Sequence, residues 1–429
     1  MKFLLAFLIA IFSSTAFAQT ESASHFLPLT ADVLLSEGMS EERLLRIDNM
    51  LDNAVNEYQI PGAVALVARN GKIVYHKAFG MADNQAGREL QKDDIFRIAS
   101  QTKAITSTAV MMLWEEGKFR LDDPVSKYIP EFADAQVLDT FNADDTTYTT
   151  IPANNPITIR QLLTHTSGIG YGIIDGDDRF RKIYQKAGIV DLFTAENVTL
   201  EENIRKLAGL PLHHHPGERY TYSEGIDVLG YFIEVMSGMP LDEFFHTRIF
   251  EPLGMNDTWF YLPETEQDRL VAIQQKENGE WIYYTSEYYD PDYPVAGAQR
   301  YFSGGAGLSS TAADYATFLQ MYLNMGELNG VRLLSRTTVN FMMKNQVGDL
   351  FSDSERGHGL AFGLINKKGE TAGGRGSAGT FDWGGYFNTQ YFADPQEQVI
   401  GVLMKQTRGD TGDETSWKFR QLVFQAIDD

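Results

Sequence analysis

The 429-residue chain contains no cysteine, so disulfides, thiolate zinc sites and a cysteine nucleophile are excluded. Proline is sparse, at 14 residues beside 38 glycines, which rules out a collagen-like repeat or a low-complexity linker protein. Basic side chains number only 36 against 58 acidic ones, for a net charge of −22. A surface that negative repels phosphate backbones and anionic headgroups, so neither nucleic acid nor a membrane surface is an expected partner. What remains, 43% apolar and 22% charged residues, is the composition of a soluble globular protein.

The N-terminus reads as a secretory leader over residues 1–18. Lys2 supplies the positive start, Phe3 to Phe12 a short apolar stretch, and Ala16-Phe17-Ala18 a small-x-small cleavage site. The stretch is too short for a stable membrane anchor. Cleavage after Ala18 predicts a periplasmic or secreted protein with no membrane span, and the missing cysteine excludes a lipoprotein anchor.

Apolar residues Leu44, Leu45, Ile47, Leu51 and Val55 recur at a helical period and predict a helix over Ser40 to Tyr58. Two apolar runs flanking Asn70-Gly71 predict a hairpin with a type I′ turn. Ile105, Ala109, Met112 and Leu113 form the buried face of a helix that Gly117 stops. From Phe132 to Leu212 the chain reads as loops and helices, followed by helices near Ile226 to Met236 and Thr311 to Met325. Strands at Tyr386 to Ala393 and Val399 to Met404, joined at Asp394-Pro395, precede a last helix near Ser416 to Ile427. Strands at both ends and helices between predict an α/β fold of the α+β type. Its antiparallel sheet is built from both termini and flanked by helices, with a mostly helical lobe inserted at roughly 130–290. Residues 19–429 read as one unit, with no internal repeat and no linker.

The sharpest chemical feature is Ser100-Gln101-Thr102-Lys103. At a helix start, Ser100 and Lys103 lie one turn apart on one face. The helix N-terminus offers N–H groups and a positive dipole end to a developing oxyanion. A serine hydroxyl needs a neighbour to take its proton, which a desolvated lysine can do. The four residues alone fit a capping serine followed by a surface lysine better than a catalytic pair, since such short matches recur by chance.

Five further blocks supply context: KAITSTAVMMLWEEGKFRLDDPVSKYIPEF from Lys103, ITIRQLLTHTSGI from Ile157, PGERYTYSEGIDVLG from Pro216, FEPLGM from Phe250 and SGGAGL from Ser303. In this order they resemble the serine β-lactamase and DD-peptidase superfamily. The similarity is to the branch of class C β-lactamases, DD-carboxypeptidases and family VIII carboxylesterases, and it runs from about Leu44 to the C-terminus. The resemblance implies a β-lactamase/transpeptidase-like fold, Ser100 as nucleophile, and Lys103 with Tyr222 as the acid/base pair. Tyr222-Ser223-Glu224 stands where the family has Tyr-x-Asn, making Glu224 a candidate substrate contact. An ionised glutamate only accepts hydrogen bonds where asparagine also donates, and Glu224 is equally readable as an acid favoured by the following helix dipole.

The third motif, often Lys-Thr-Gly, is here Trp383-Gly384-Gly385, similar to family VIII esterases. The exchange replaces a cation by an apolar wall, disfavouring anionic substrates and favouring neutral esters. Gly384 and Gly385 allow close backbone approach to the acyl group. By resemblance, the N–H groups of Ser100 and Tyr386 form the oxyanion hole.

Other features carry less. Gly374-Arg375-Gly376-Ser377-Ala378-Gly379 matches G-x-G-x-x-G but leads into a strand, so it reads as a flexible loop. Consecutive His213-His214-His215 cannot easily converge on one ion, and no metal or organic cofactor is expected. His165 reads as a turn-holding residue. The aromatic run from Trp281 to Phe302 reads as hairpin packing before an acyl pocket. No G-x-S-x-G elbow occurs. The expectation is a secreted serine hydrolase acting on a small ester, with an amide also open. The alternatives are a β-lactamase or DD-carboxypeptidase acting on β-lactams or peptidoglycan peptides, and a non-catalytic cell-wall ligand-binding protein. Oligomeric state is not encoded legibly.

Overall fold

A computed structural model describes residues 31–351, 354–409 and 412–429; the expected leader lies outside the described residues. The main sheet has eight strands: β1 (Gly62–Arg69), β2 (Lys72–Asp83), β3 (Arg88–Glu89), β4 (Arg356–His358), β5 (Gly363–Ile365), β6 (Phe381–Gly384), β7 (Gln390–Asp394) and β8 (Val399–Met404). They are ordered β4-β5-β6-β7-β8-β1-β2-β3, and every neighbouring pair is antiparallel. The sheet is therefore assembled from both ends of the chain, joined where β1 pairs with β8. The Asn70-Gly71 turn forms as expected, with φ of +52° and +78°, the left-handed pair a type I′ hairpin needs.

Five helices frame the sheet: α1 (Glu41–Asn56), α2 (Thr102–Glu115), α3 (Gly225–Ser237), α4 (Ala312–Leu323) and α5 (Thr415–Gln425). Ser40 caps α1 by accepting from Arg43 N, and Thr311 caps α4 by accepting from Asp314 N. Strand β1 is buried along its whole length because both sheet faces are covered. Val64, Leu66 and Ala68 join the large core that contains α2, α3 and α4. Ala63, Ala65 and Val67 join a second core made by α1 and α5. Residues Thr102 to Leu113 of α2 are all buried, so the helix that opens on Ser100 lies sandwiched inside the molecule.

Two expectations need correction. The stretch expected to be helices and loops contains a β-hairpin, Gln136–Asn142 with Thr147–Pro152. Its β-branched residues pair across the polar Asn142 to Asp145 turn, which had read as loop alone. The strand expected from Tyr386 begins only at Gln390. Gly385 N donates to Thr389 O at 2.8 Å, and Asn388 takes φ +73°, which closes a hairpin between β6 and β7 and leaves Tyr386 in its turn.

Candidate active site

The chain enters α2 through a constrained corner. Phe96 and Arg97 pair with Ser310 and Ser309, and Ile98 N donates to Leu308 O at 3.0 Å. Ala99 then adopts φ +43°, a left-handed conformation that costs a residue with a Cβ on the order of 1 kcal/mol or more. A tight turn over Ala99–Gln101 delivers Ser100 and Lys103 to the buried end of the helix, 9% and 4% exposed.

Lys103 Nζ lies 3.5 Å from Ser100 Oγ. It donates to Gly305 O at 2.7 Å and to Tyr171 Oη at 2.9 Å. It also sits over the face of Tyr222, 4.7 Å from the ring centroid. Lys103 is thus held from three sides, with Ser100 Oγ on the fourth.

Each holder is itself held. Asp227, buried in α3, accepts from Ser303 Oγ at 2.6 Å and from Gly305 N at 3.1 Å through one oxygen. That fixes the peptide whose carbonyl receives Lys103. A Cβ on Gly305 would stand 2.2 Å from Asp227 Oδ2, so only glycine permits this approach. Burial raises the Asp227 carboxyl, opposed by Lys103 and by the bonds from Ser303 and Gly305. The Tyr171 loop is tied by two carboxylates: Asp175 accepts from Tyr171 N at 2.9 Å, and Asp191 from Gly172 N at 2.6 Å and from Ile173 N. Burial, with Tyr222 and the nearby acids, holds the Tyr171 phenol well above its ordinary range, so it stays a neutral hydroxyl.

Tyr171 is the site residue that the motifs missed. It lies two residues beyond the THTSGI block, and the repeated Gly-x-Gly spacing around it was the available signal.

Tyr222 is packed among His165, Tyr171 and Trp383, with ring centroids 4.7, 5.4 and 5.9 Å away. His165 holds the segment as expected. Its Nδ1 accepts from Ser223 N at 3.2 Å, its carbonyl accepts from Thr221 N at 2.8 Å, and burial keeps the ring neutral by pushing its pKa well below the usual value.

Glu224 is placed differently from the expected substrate contact. It is 0% exposed and sits below the cleft facing Asp191, where burial first and Asp191 second raise its carboxyl well above the normal range. Neither of its carboxyl oxygens has a hydrogen-bond partner among the described residues, and a buried carboxyl beside a second acid favours its protonated form. Its position just before α3 fits the helix-start alternative, although its side chain caps nothing there.

Trp383 and Gly384 end β6 and Gly385 follows it, against the turn that bears Ser100. A Cβ on Gly385 would meet Ile98 O at 2.5 Å, so a bare backbone is what lets this strand touch the turn bearing Ser100. Trp383 closes one side against Tyr222 and edge-on against His358, 5.6 Å away. Next to it, Tyr386 is clamped by Arg408, which donates to Tyr386 O at 2.9 Å and lies 3.7 Å over its ring. Among the described residues, neither Ser100 N nor Tyr386 N donates to a protein acceptor.

Ala99, Tyr171, Tyr222 and Tyr386 share an aromatic cluster with Phe193, Tyr289, Tyr293 and Phe387. From the aromatic run, Trp281, Tyr293 and Tyr301 are buried packing residues, while Tyr289 reaches the site edge, 6.2 Å from Tyr386. A cavity of about 470 Å³ adjoins the Tyr171 loop, lined by Ile173, Leu192, Phe193 and Tyr288 among others. The three consecutive histidines diverge: His213 pairs with Asp175, His214 with Thr221 and His215 with Asn154 N. The glycine-rich segment at 374–379 is a loop leading into β6.

This geometry agrees with four likenesses, to one family model and to three known proteins. A family model described as Beta-lactamase matches residues 47–425. Esterase EstB of Burkholderia gladioli is 33% identical over 385 residues, covering 84% of this chain and 90% of that protein. Lovastatin esterase of Penicillium rubens is 30% identical over 382 residues, covering 83% and 91%. Among solved structures, EstCE1, "a hydrolase with promiscuous acyltransferase activity", aligns with a TM-score of 0.76 at 28% identity, covering 90% of this chain and 99% of that one.

Proposed function

Because this chain belongs to the Beta-lactamase family and is a serine hydrolase, we propose that it hydrolyses small neutral carboxylic esters through an acyl-enzyme on Ser100. Ser100 Oγ attacks the ester carbonyl while its proton passes to the Lys103–Tyr222 pair. The C–O π electrons move onto the carbonyl oxygen, which the Ser100 and Tyr386 N–H groups stabilise. Collapse of this intermediate breaks the bond to the alkoxy group, and Tyr222 returns the proton to the departing alcohol. Water, losing its proton to the same pair, then attacks the acyl-enzyme and releases the acid. Tyr171 and Gly305 keep Lys103 aimed at the nucleophile throughout.

The observation that carries the ester reading is Trp383 against Tyr222, where a cation would have to stand to bind a carboxylate-bearing β-lactam or peptide end. The esterase names of the relatives support the same substrate class. The N-terminal pattern of Lys2, Phe3–Phe12 and Ala16-Phe17-Ala18 supports export, so the proposed place of action is the periplasm or outside the cell.

The test is p-nitrophenyl butyrate beside nitrocefin, with wild type and Ser100→Ala. Ester turnover lost in the variant, with little nitrocefin cleavage, is the expected result. Fast nitrocefin cleavage would overturn the substrate argument, and full ester turnover by Ser100→Ala would overturn the mechanism.

A further inference from the structure

On the outer side of the sheet, β6 and β7 and helix α5 enclose a cavity of about 580 Å³. The charged side chains lining it are Arg356, Arg375, Arg420 and Asp382, three cations to one anion, in a chain whose net charge is −22. Asp382, 6% exposed, receives both Arg356 and Arg420, the latter with Nη1 at 2.6 Å. One carboxylate offsets one guanidinium, so the pair leaves a positive charge over. Arg375 adds another. The acid paired with it, Glu355, is 3.5 Å away with both side chains more than a third exposed, where pairing is weak and screened.

Arg420 is spent on protein partners: Nη1 donates to Asp382 and Nη2 to Arg375 O, and only its buried Nε is without a partner among the described residues. Burial depresses the Arg420 guanidinium, Asp382 opposes that, and Arg356 and Arg375 add to it; the cluster repels itself as it stands. Surplus positive charge in a half-enclosed cavity is a cost that an oxyanion on the exposed Arg375 would offset through charge-assisted bonds. At the rim, Gly373 and Gly374 turn with φ of +82° and +76°, and a Cβ on Gly373 would meet nothing within 4 Å, so the approach is open. Trp417 stands there 51% exposed, an apolar ring beside the cations. An inorganic anion alone would leave most of this volume and the indole unused.

We propose that this cavity is a binding site for a small organic carboxylate, its charged end taken by Arg375 beside the surplus charge of Arg356 and Arg420, and its apolar body laid against Trp417. The cavity backs onto the end of β6, where Trp383, Gly384 and Gly385 line it as well, and its charged lining is separate from Ser100, Lys103 and Tyr222.

Benzoate is the probe, titrated calorimetrically into the full chain carrying Ser100→Ala, with neutral benzyl alcohol as control. One equivalent of benzoate binds, tryptophan fluorescence changes on binding, and added sodium chloride weakens the affinity. Benzyl alcohol does not bind. Adding Arg375→Gln, an exposed position whose loss leaves the Asp382 pairs intact, weakens benzoate roughly tenfold or more, as removal of one charge-assisted bond would. Adding Trp417→Ala shrinks the fluorescence change to what Trp383, which also lines the cavity, reports, and weakens benzoate binding. Absence of benzoate binding, equal binding of benzyl alcohol, or unchanged affinity in folded Arg375→Gln would each overturn the proposal.

Discussion

Lys103 has three partners and one task, and the partners differ in what they contribute. Gly305 O and Tyr171 Oη accept hydrogen bonds from its Nζ, while the face of the Tyr222 ring packs against the same nitrogen. Tyr171→Phe deletes one acceptor without emptying the space, so Lys103 loses part of its alignment. Steady-state kinetics should show kcat for p-nitrophenyl butyrate down about tenfold, on the order of 1.5 kcal/mol, with KM nearly unchanged; wild-type kcat would remove Tyr171 from the account. Glu224 makes a separate prediction through pH. Its folded pKa is raised, so the folded state keeps a proton that the unfolded chain releases above about pH 4.3. The stability this gives is complete below that value and is lost as pH rises toward the folded pKa. Glu224→Gln removes the loss, so thermal unfolding should show the variant gaining over wild type more at pH 9 than at pH 5. An equal difference at both would contradict a protonated Glu224.

The elements carry the site by unusually close backbone contacts. The end of β6 meets the turn before Ser100 only because residue 385 has no side chain. Gly385→Ala should therefore push Tyr386 N–H out of line, lowering kcat at least tenfold while circular dichroism stays native; normal kcat would show that β6 tolerates the shift. Asp227 works through Gly305 in the same manner. Asp227→Ala should cost more kcat than Asp227→Asn, since asparagine keeps an oxygen for Ser303 Oγ and Gly305 N. Equal losses would mean that the buried charge, and not the bond to Gly305, is what matters.

What the sequence displayed at this scale was whatever is local. Ser100 and Lys103 are one helical turn apart, Asn70-Gly71 makes its own turn, and Ser40 caps its own helix. Tyr171 meets Lys103 across 68 positions, and Glu224 faces Asp191 with the helix Leu200–Leu207 between them in the chain, so neither pairing leaves a periodic or spacing signal. The Gln136–Asn142 hairpin hid for a related reason: it is largely exposed, and its alternation is too weak to separate strand from loop.

At the scale of the molecule, two cores share one sheet, and only one of them borders the chemistry. Helices α1 and α5 cover the face away from α2, with Leu51 fully buried between α1 and the sheet. Leu51→Ala should cost about 2–5 kcal/mol of folding stability, read as a lower Tm and denaturation midpoint, with kcat/KM unchanged at 25 °C. A matching loss of activity in still-folded protein would mean that the outer core helps set the site. The order of secondary structure had already indicated that the sheet is built from both termini. The burial of β1 on both faces depends on which helices return to cover it, and that is decided by packing over several hundred residues.

The most direct measurement is to quench the enzyme in acid during turnover of p-nitrophenyl butyrate and locate the bound acyl group by peptide mass spectrometry. The account predicts a butyryl group on the peptide carrying Ser100 at that side chain, and none in Ser100→Ala. Butyrylation of a different residue, or ester turnover by Ser100→Ala, would contradict it.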